Sequence, residues 1–473
     1  MSDPAPRRLR EDLPFRRIAL LLSGGGALGA YEVGVLRVLE RLGISPHLVV
    51  GVSIGAINAI VWLAHGRRTA PLEAAWQRLR GPELGLQWVT LVLRVAGLFL
   101  VALAVLESFL TLVGSRELSG SYWFWKQSSA RLDLLSTQLD ITLWVAVAVL
   151  GTLVLLGAGP IERWLASQGG DTPDAHDAGR RTLGRLALGA AAIHGLVWLM
   201  AWPWPHRFSA SAVALLSVAW LASGPGRLGQ FVRGLAFGLM PDTHGRGLWS
   251  GRRRRKVIQE LVQQGDASSL LGRQTRLVMS ALAVDTGRVC HFITWSDHTP
   301  AFEARVRESL GEVVVLRSAE EAVSAAVASS AIPGVFEPER IDQRHFVDAG
   351  GFSNQPLHLA LADDADAVLV VLLQPSESPA AAAPPADMAV LAGRLLELAN
   401  WRDLQTELRE LPGGWSRQGD PARVCVVEPP RPLPGTLLMF EPEQAARLIE
   451  LGEADAWRAL DRAGWLAPAM DGR

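Results

Sequence analysis

Ile18-Ala19-Leu20-Leu21-Leu22-Ser23-Gly24-Gly25-Gly26-Ala27-Leu28-Gly29-Ala30 and Leu48-Val49-Val50-Gly51-Val52-Ser53-Ile54-Gly55-Ala56 decide how the chain folds. Each leads from a strand-length apolar run, through glycine and serine, into a helix-forming segment. An apolar run without polar alternation fits a strand covered on both faces. The pattern predicts strands at Ile18–Leu22 and Leu48–Val52, and helices at Ala30–Leu42 and Ile54–Ala64. Strand alternating with helix implies a mostly parallel sheet between helical layers.

The same grammar returns beyond residue 256. Apolar runs stand at Leu277–Val284, Glu312–Leu316 and Ala367–Leu373, a short strand ends at Val347, and a last strand covers Arg423–Glu428. Helices are expected at Ala319–Ala328, Asp387–Glu410 and Glu443–Leu460, with a Pro- and Ala-rich surface loop at 378–386.

Between these flanks the composition changes. Hydrophobic residues make up 49% of the 473-residue chain and charged residues 20%, with a mean hydropathy of +0.20. The excess lies between residues 86 and 226. Ile141–Ile161 and Phe208–Gly226 carry no charge, and His194 is the one titratable group of Leu186–Pro205. Each is long enough to cross a hydrocarbon core of about 30 Å as a helix. Trp88–Val113 is a fourth candidate, although it holds Arg94 and Glu107; lying flat in the interface is its alternative. Trp123, Trp125, Trp164, Trp202, Trp204 and Trp249 stand near the proposed span ends, as in an aromatic belt.

Net charge is −1, which excludes a global electrostatic reason to bind nucleic acid. All basic residues but Lys126 and Lys256 are arginine, as in proteins from GC-rich bacterial genomes. Cys290 and Cys425 cannot form a disulfide framework and lack metal-site spacing. The first 17 residues read as a solvated arm without a signal peptide. The run Arg252-Arg253-Arg254-Arg255-Lys256 reads as a stop-transfer segment facing anionic head groups after the last span.

Two motifs carry chemistry. Gly24, Gly26 and Gly29 satisfy G-x-G-x-x-G, so a dinucleotide site must be weighed. That reading needs an acid at the end of the second strand, where Val50-Gly51-Val52-Ser53 offers none. The other reading is an oxyanion hole, in which the Gly24, Gly25 and Gly26 amides at a helix start meet charge developing on a carbonyl oxygen. Gly51-Val52-Ser53-Ile54-Gly55 is a G-x-S-x-G at a strand-to-helix turn, the setting of a nucleophile elbow. A nucleophilic serine needs a base. His65, His291, His298 and His345 sit in no convincing turn, whereas Asp348, ending a strand before Ala349-Gly350-Gly351, could approach from the neighbouring strand.

Together these residues resemble the patatin-like phospholipase family over roughly 15–80 and 270–465. Tyr31-Glu32-Val33-Gly34 looks like the continuation of its oxyanion segment, and Ala56-Ile57-Asn58-Ala59 that of its nucleophile segment. Ser324–Phe336 is similar to the helix and turn before its aspartate, and Asp348–Pro356, with Asn354 and Pro356, to its D-G/A-G box. The resemblance implies a Ser53–Asp348 dyad without histidine, supported by Gly51, Gly55, Gly350 and Asn354, and no metal or cofactor. Leu28 departs from the basic residue many members carry there, and the long apolar insertion is unusual.

The expected architecture is a three-layer α/β hydrolase core formed by residues 1–85 and 245–473, interrupted by a transmembrane helical insertion at 86–244. The expected activity is that of a serine lipid acyl hydrolase acting on a membrane phospholipid or lysophospholipid. Ser53 and Asp348 flank the insertion, so an even number of crossings must return the chain to one side. Arginine bias in the flanking loops puts that side in the cytoplasm of a bacterial inner membrane. The alternatives are an inactive membrane scaffold and a nucleotide-binding regulator.

Overall fold

The computed structural model describes residues 8–84, 86, 247–271, 274–294, 300–308, 311–377, 388–409 and 417–467, with isolated positions elsewhere, among them 145 and 147–154. The chain forms two units, residues 1–86 with 242–473 and residues 87–241.

The strands of the first unit are β1 (Ile18–Leu22), β2 (Leu48–Val52), β3 (Gly247–Trp249), β4 (Arg276–Ala283), β5 (Val289–Ile293), β6 (Glu312–Val315), β7 (Gly334–Phe336), β8 (Glu339–Ile341), β9 (Arg344–Asp348), β10 (Ala367–Val371) and β11 (Val424–Val427). Its helices are α1 (Ala30–Leu42), α2 (Ile54–Ala64), α3 (Ala70–Trp76), α4 (Arg252–Gln263), α5 (Pro300–Glu308), α6 (Ala319–Ser329), α7 (Leu357–Ala362), α8 (Met388–Arg409) and α9 (Pro442–Arg462).

The main sheet runs β11-β10-β1-β2-β4-β5-β6, parallel except where β4 meets β5. Its strands alternate faces and both faces are covered. Leu20, Leu22, Val49 and Leu369 pack with residues of α1, α2, α4, α6 and α9; Ala19, Leu21, Val50 and Val368 pack with α5, α7 and α8. This double burial is why β1 and β2 read as unbroken apolar runs. The expected α/β core with a mostly parallel sheet is therefore present.

One register detail positions the site. β4 is long enough to pair with two strands on the same edge. β2 runs parallel to it and ends with Val52 opposite Ser280, while β9 runs antiparallel to it with Asp348 opposite Ala281. The tips of β2 and β9 thus meet head to head. β5 pairs with Val278–Leu282 and takes the other edge. The expectation that Asp348 arrives from a strand neighbouring β2 is corrected here: β9 continues the line of β2 along β4.

The basic run is also corrected. Residues 252–256 open α4 inside this unit, and Arg254, Ile258 and Val262 recur at the helical period on its buried face. Arg255 pairs with Glu339 at 2.6 Å, leaving Arg252, Arg253 and Lys256 exposed.

The proposed spans at 88–113, 186–205 and 208–226 lie outside the described residues apart from positions 97 and 101, and so does most of 141–161. Among the described residues no helix is long and apolar enough to cross a membrane. The loop at 378–386 and His298 also fall outside them.

Candidate active site

Ser53 follows β2 directly and is the residue before α2, with φ 56° and ψ −119°. A non-glycine residue at positive φ is strained, and its neighbours must be small to allow it. A Cβ on Gly51 would lie 2.6 Å from the Ala56 Cα, and one on Gly55 2.4 Å from the Leu22 carbonyl oxygen. The two flanking glycines are therefore steric requirements of the elbow. The Ser53 amide donates to the Ser329 Oγ at 2.9 Å, and that hydroxyl donates to the Ser280 carbonyl at 2.7 Å.

Asp348 is 7% exposed. Its amide donates to the Ala331 carbonyl at 2.9 Å, and its Oδ1 accepts the Gly350 amide at 2.8 Å. Burial pushes its carboxyl up to about 6, against the Ser53 hydroxyl, the Gly350 amide and the Arg254 charge, which all favour the carboxylate.

The glycine turn lies against both groups. Gly24 is so close to the elbow that a Cβ there would sit 3.0 Å from that of Ser53. Its amide donates to the Asn354 Oδ1 at 2.7 Å, and the Asn354 Nδ2 donates to the Gly24 carbonyl at 3.3 Å. The Ala27 amide donates to the Leu437 carbonyl at 2.8 Å. The expected oxyanion trio is narrowed accordingly. Gly24 is engaged with Asn354, so Gly25 and Gly26 are the remaining candidate donors. The same contacts disfavour the dinucleotide alternative, because the Asn354 side chain and the Leu437 carbonyl cover the turn that a pyrophosphate would have to occupy.

Ser53 and Gly26 line an apolar cleft. Its walls include Ile57, Leu72, Trp76, Ile258, Leu261 and Phe336. Behind it lies a network that sequence reading missed. The Asn58 Nδ2 donates to the Glu32 Oε2 at 2.8 Å and to the Gly29 carbonyl at 2.9 Å, while the Trp76 Nε1 donates to the Asn58 Oδ1 at 3.0 Å. Glu32 is fully buried, which holds its carboxyl well above the usual range. An acid and an amide facing one another on two buried helices were the available signal.

The His291 and His65 rings hydrogen-bond to groups other than Ser53 and Asp348. His291 contacts the Ser280 Oγ at 2.9 Å and is pushed down to about 3 by burial; His65 faces the Leu261 carbonyl. The His345 carbonyl accepts the Val284 amide along the sheet edge. Among the described residues no group of His, Cys, Asp or Glu is placed to hold a metal ion.

A parallel α/β sheet with a strained serine between strand and helix defines an α/β protein of the nucleophile-elbow class. A profile described as Patatin-like phospholipase matches residues 20–138 and 190–361, and the chain belongs to that family. The match reaches into 86–244 and stops short of the C-terminal helix, so its extent differs from the 15–80 and 270–465 that the motifs suggest. The chain is 39% identical over 70 residues to "Neuropathy target esterase sws" of Drosophila willistoni, covering 15% of this chain and 5% of that protein. It is 36% identical over 81 residues to "Lysophospholipase nte1" of Aspergillus terreus, covering 17% and 5%. The chain thus spans about 5% of the length of these curated relatives. VipD from Legionella pneumophila aligns with 95% of this chain and 67% of its own, at 14% identity and a TM-score of 0.36, a likeness too distant to inform the site.

Proposed function

We propose that this protein is a serine lipid acyl hydrolase, of phospholipase or lysophospholipase type, held at a bilayer by residues 86–244. The observation that supports the reading is the meeting of β2 and β9 on one edge of β4, with a strained Ser53 and a buried Asp348 at the two tips and Ser53 lining an apolar cleft. Asp348 accepts the Ser53 proton as Oγ attacks the ester carbonyl carbon. The Gly25 and Gly26 amides stabilise the oxyanion. Collapse expels the alcohol, which takes the proton from Asp348 and leaves an acyl-enzyme. Water then gives a proton to Asp348 and attacks the acyl carbon. Release of the fatty acid returns that proton to Ser53. The cleft suits an alkyl chain, since apolar surface leaving water contributes about 25 cal/mol per Å².

Membrane attachment is supported separately. Positions 145 and 147–154 are helical, and Val145, Val149, Leu150 and Leu153 are 53–61% exposed along one face. Apolar side chains left open on a helix call for a partner, and lipid is the one proposed.

A fluorophosphonate probe is expected to label Ser53 in the wild type and to leave Ser53→Ala unlabelled, with phospholipid vesicles hydrolysed only by the former. Labelling elsewhere, or hydrolysis by Ser53→Ala, refutes the mechanism. Absence of both labelling and hydrolysis in the wild type favours the inactive scaffold. For topology, cysteines at Ser121 and His206 should react with an impermeant maleimide in intact spheroplasts, and one at Ala175 should not. Reaction at His206 alone leaves two crossings, and protection of both refutes the insertion.

A further inference from the structure

The turn that ends α6 is tied to both halves of the proposed dyad. Ser329 takes the Ser53 amide on its Oγ, and the Ala331 carbonyl takes the Asp348 amide. Any drift of this turn therefore moves Ser53 against Asp348. Its own carbonyls are those that a helix C-terminus leaves without intrahelical partners. Two of them are gripped by one guanidinium from α4: the Arg254 Nη1 donates to the Ser330 carbonyl at 2.8 Å, and the Nη2 donates to the Val327 carbonyl at 3.1 Å. The guanidinium packs over the Phe336 ring at 4.0 Å, and the residue is 3% exposed while lining the cleft that holds Ser53. The Arg254 Nε finds no partner among the described residues. Burying a cation this deeply costs stability unless its site uses it, and neighbours of the same basic run remain in solvent.

We propose that Arg254 is a positioning residue for Ser53 and Asp348: its fork holds the Val327–Ala331 turn in register. This rests on the reading of Ser53 and Asp348 given above. The charged groups around Arg254 are Asp348 on β9, Glu339 on β8 and Arg255 on α4, the last two paired with each other. A cation favours the carboxylate, so removing it moves the onset of activity to higher pH. A lysine keeps the charge but cannot bridge two carbonyls with a planar fork.

The test uses full-length protein and p-nitrophenyl butyrate. Arg254→Lys is expected to lose about fivefold in kcat with KM and the acid limb unchanged, whereas Arg254→Met loses about fiftyfold and its acid limb moves up by about half a pH unit. Ser329→Ala should lose about tenfold in kcat and combine with Arg254→Lys less than additively, as groups acting through one turn do. Lys256→Gln, in the same basic run, should match the wild type. Wild-type kcat in Arg254→Lys overturns the clamp, and an unmoved acid limb in Arg254→Met overturns the charge effect. If Arg254→Met does not fold, Arg254→Lys with Ser329→Ala decides the matter, additive losses counting against the proposal. Wild-type turnover in Ser53→Ala would instead remove the dyad reading beneath it.

Discussion

Asp348 and Asp363 are both buried, 7% and 8% exposed, at opposite ends of the central strands. Asp363 lies where β2 and β4 begin. Its carboxylate accepts from the Arg276 guanidinium and faces the His47 Nε2 at 3.2 Å. Asp348 lies where β2 and β9 meet, with the Gly350 amide as its hydrogen-bond partner and no ion pair among the described residues. The first is a charge neutralised in place, which is a structural device. The second is a carboxyl whose charged form the fold disfavours, so it can take a proton from a neighbour. Partnering, more than burial, separates a structural acid from a reactive one.

The comparison breaks most sharply on activity. Asp348→Asn and Ser53→Ala should each lower kcat/KM on a short-chain ester by about a thousandfold or more, the double variant being no worse than either. Folded Asp363→Asn should keep turnover within about threefold, since its carboxylate touches no reacting group. Equal inactivation by both asparagines would erase the distinction.

Stability should reverse the order. Asp363→Asn breaks the buried ion pair with Arg276 and should cost about 3 kcal/mol in denaturant titration at neutral pH. Asp348→Asn should do the opposite. The folded carboxyl keeps its proton to about pH 6, the unfolded one to 3.8, so the folded state holds the extra proton between these values. Stability of the wild type therefore falls as pH rises through that window. The neutral asparagine escapes this loss, and its advantage should grow by on the order of 2 kcal/mol between about pH 4 and about pH 7. A pH-independent difference would show that Asp348 is not held above its ordinary range.

The same carboxyl sharpens the contrast in kinetics. In the proposed mechanism Asp348 must be ionised, so kcat/KM should rise with pH along a limb centred near 6. Asp363→Asn should leave that limb in place. The smallest effects belong to histidine. His345→Gln and His298→Gln should each stay within about twofold of wild-type turnover, whereas a loss of several hundredfold at one of them would reveal a triad.

Much of the core was legible in the primary structure. The bounds expected for β1, α1, β2 and α2 coincide with those observed, because both-face burial and glycine turns write themselves into neighbouring residues. G-x-S-x-G located Ser53 for the same reason: the elbow's steric demands fall on Gly51 and Gly55, each two positions away. β5 was missed because Val289–Ile293 includes Cys290 and His291 and pairs antiparallel inside a mostly parallel sheet. β3, β7 and β8 are three residues each, too short for any period to register.

What the sequence alone determined is therefore local: the strand–turn–helix units, the strained serine, and the candidacy of Asp348. Only the tertiary structure decided that β4 seats β2 and β9 tip to tip, that Asn354 occupies the Gly24 amide, and that Arg254 faces inward from a run that looks solvent-bound. The physical reason is the range of the interactions. Periodicity and turn sterics act over a few residues, whereas strand register and the pairing of buried charges join residues far apart in the chain, and their energies exist only once those residues share one core.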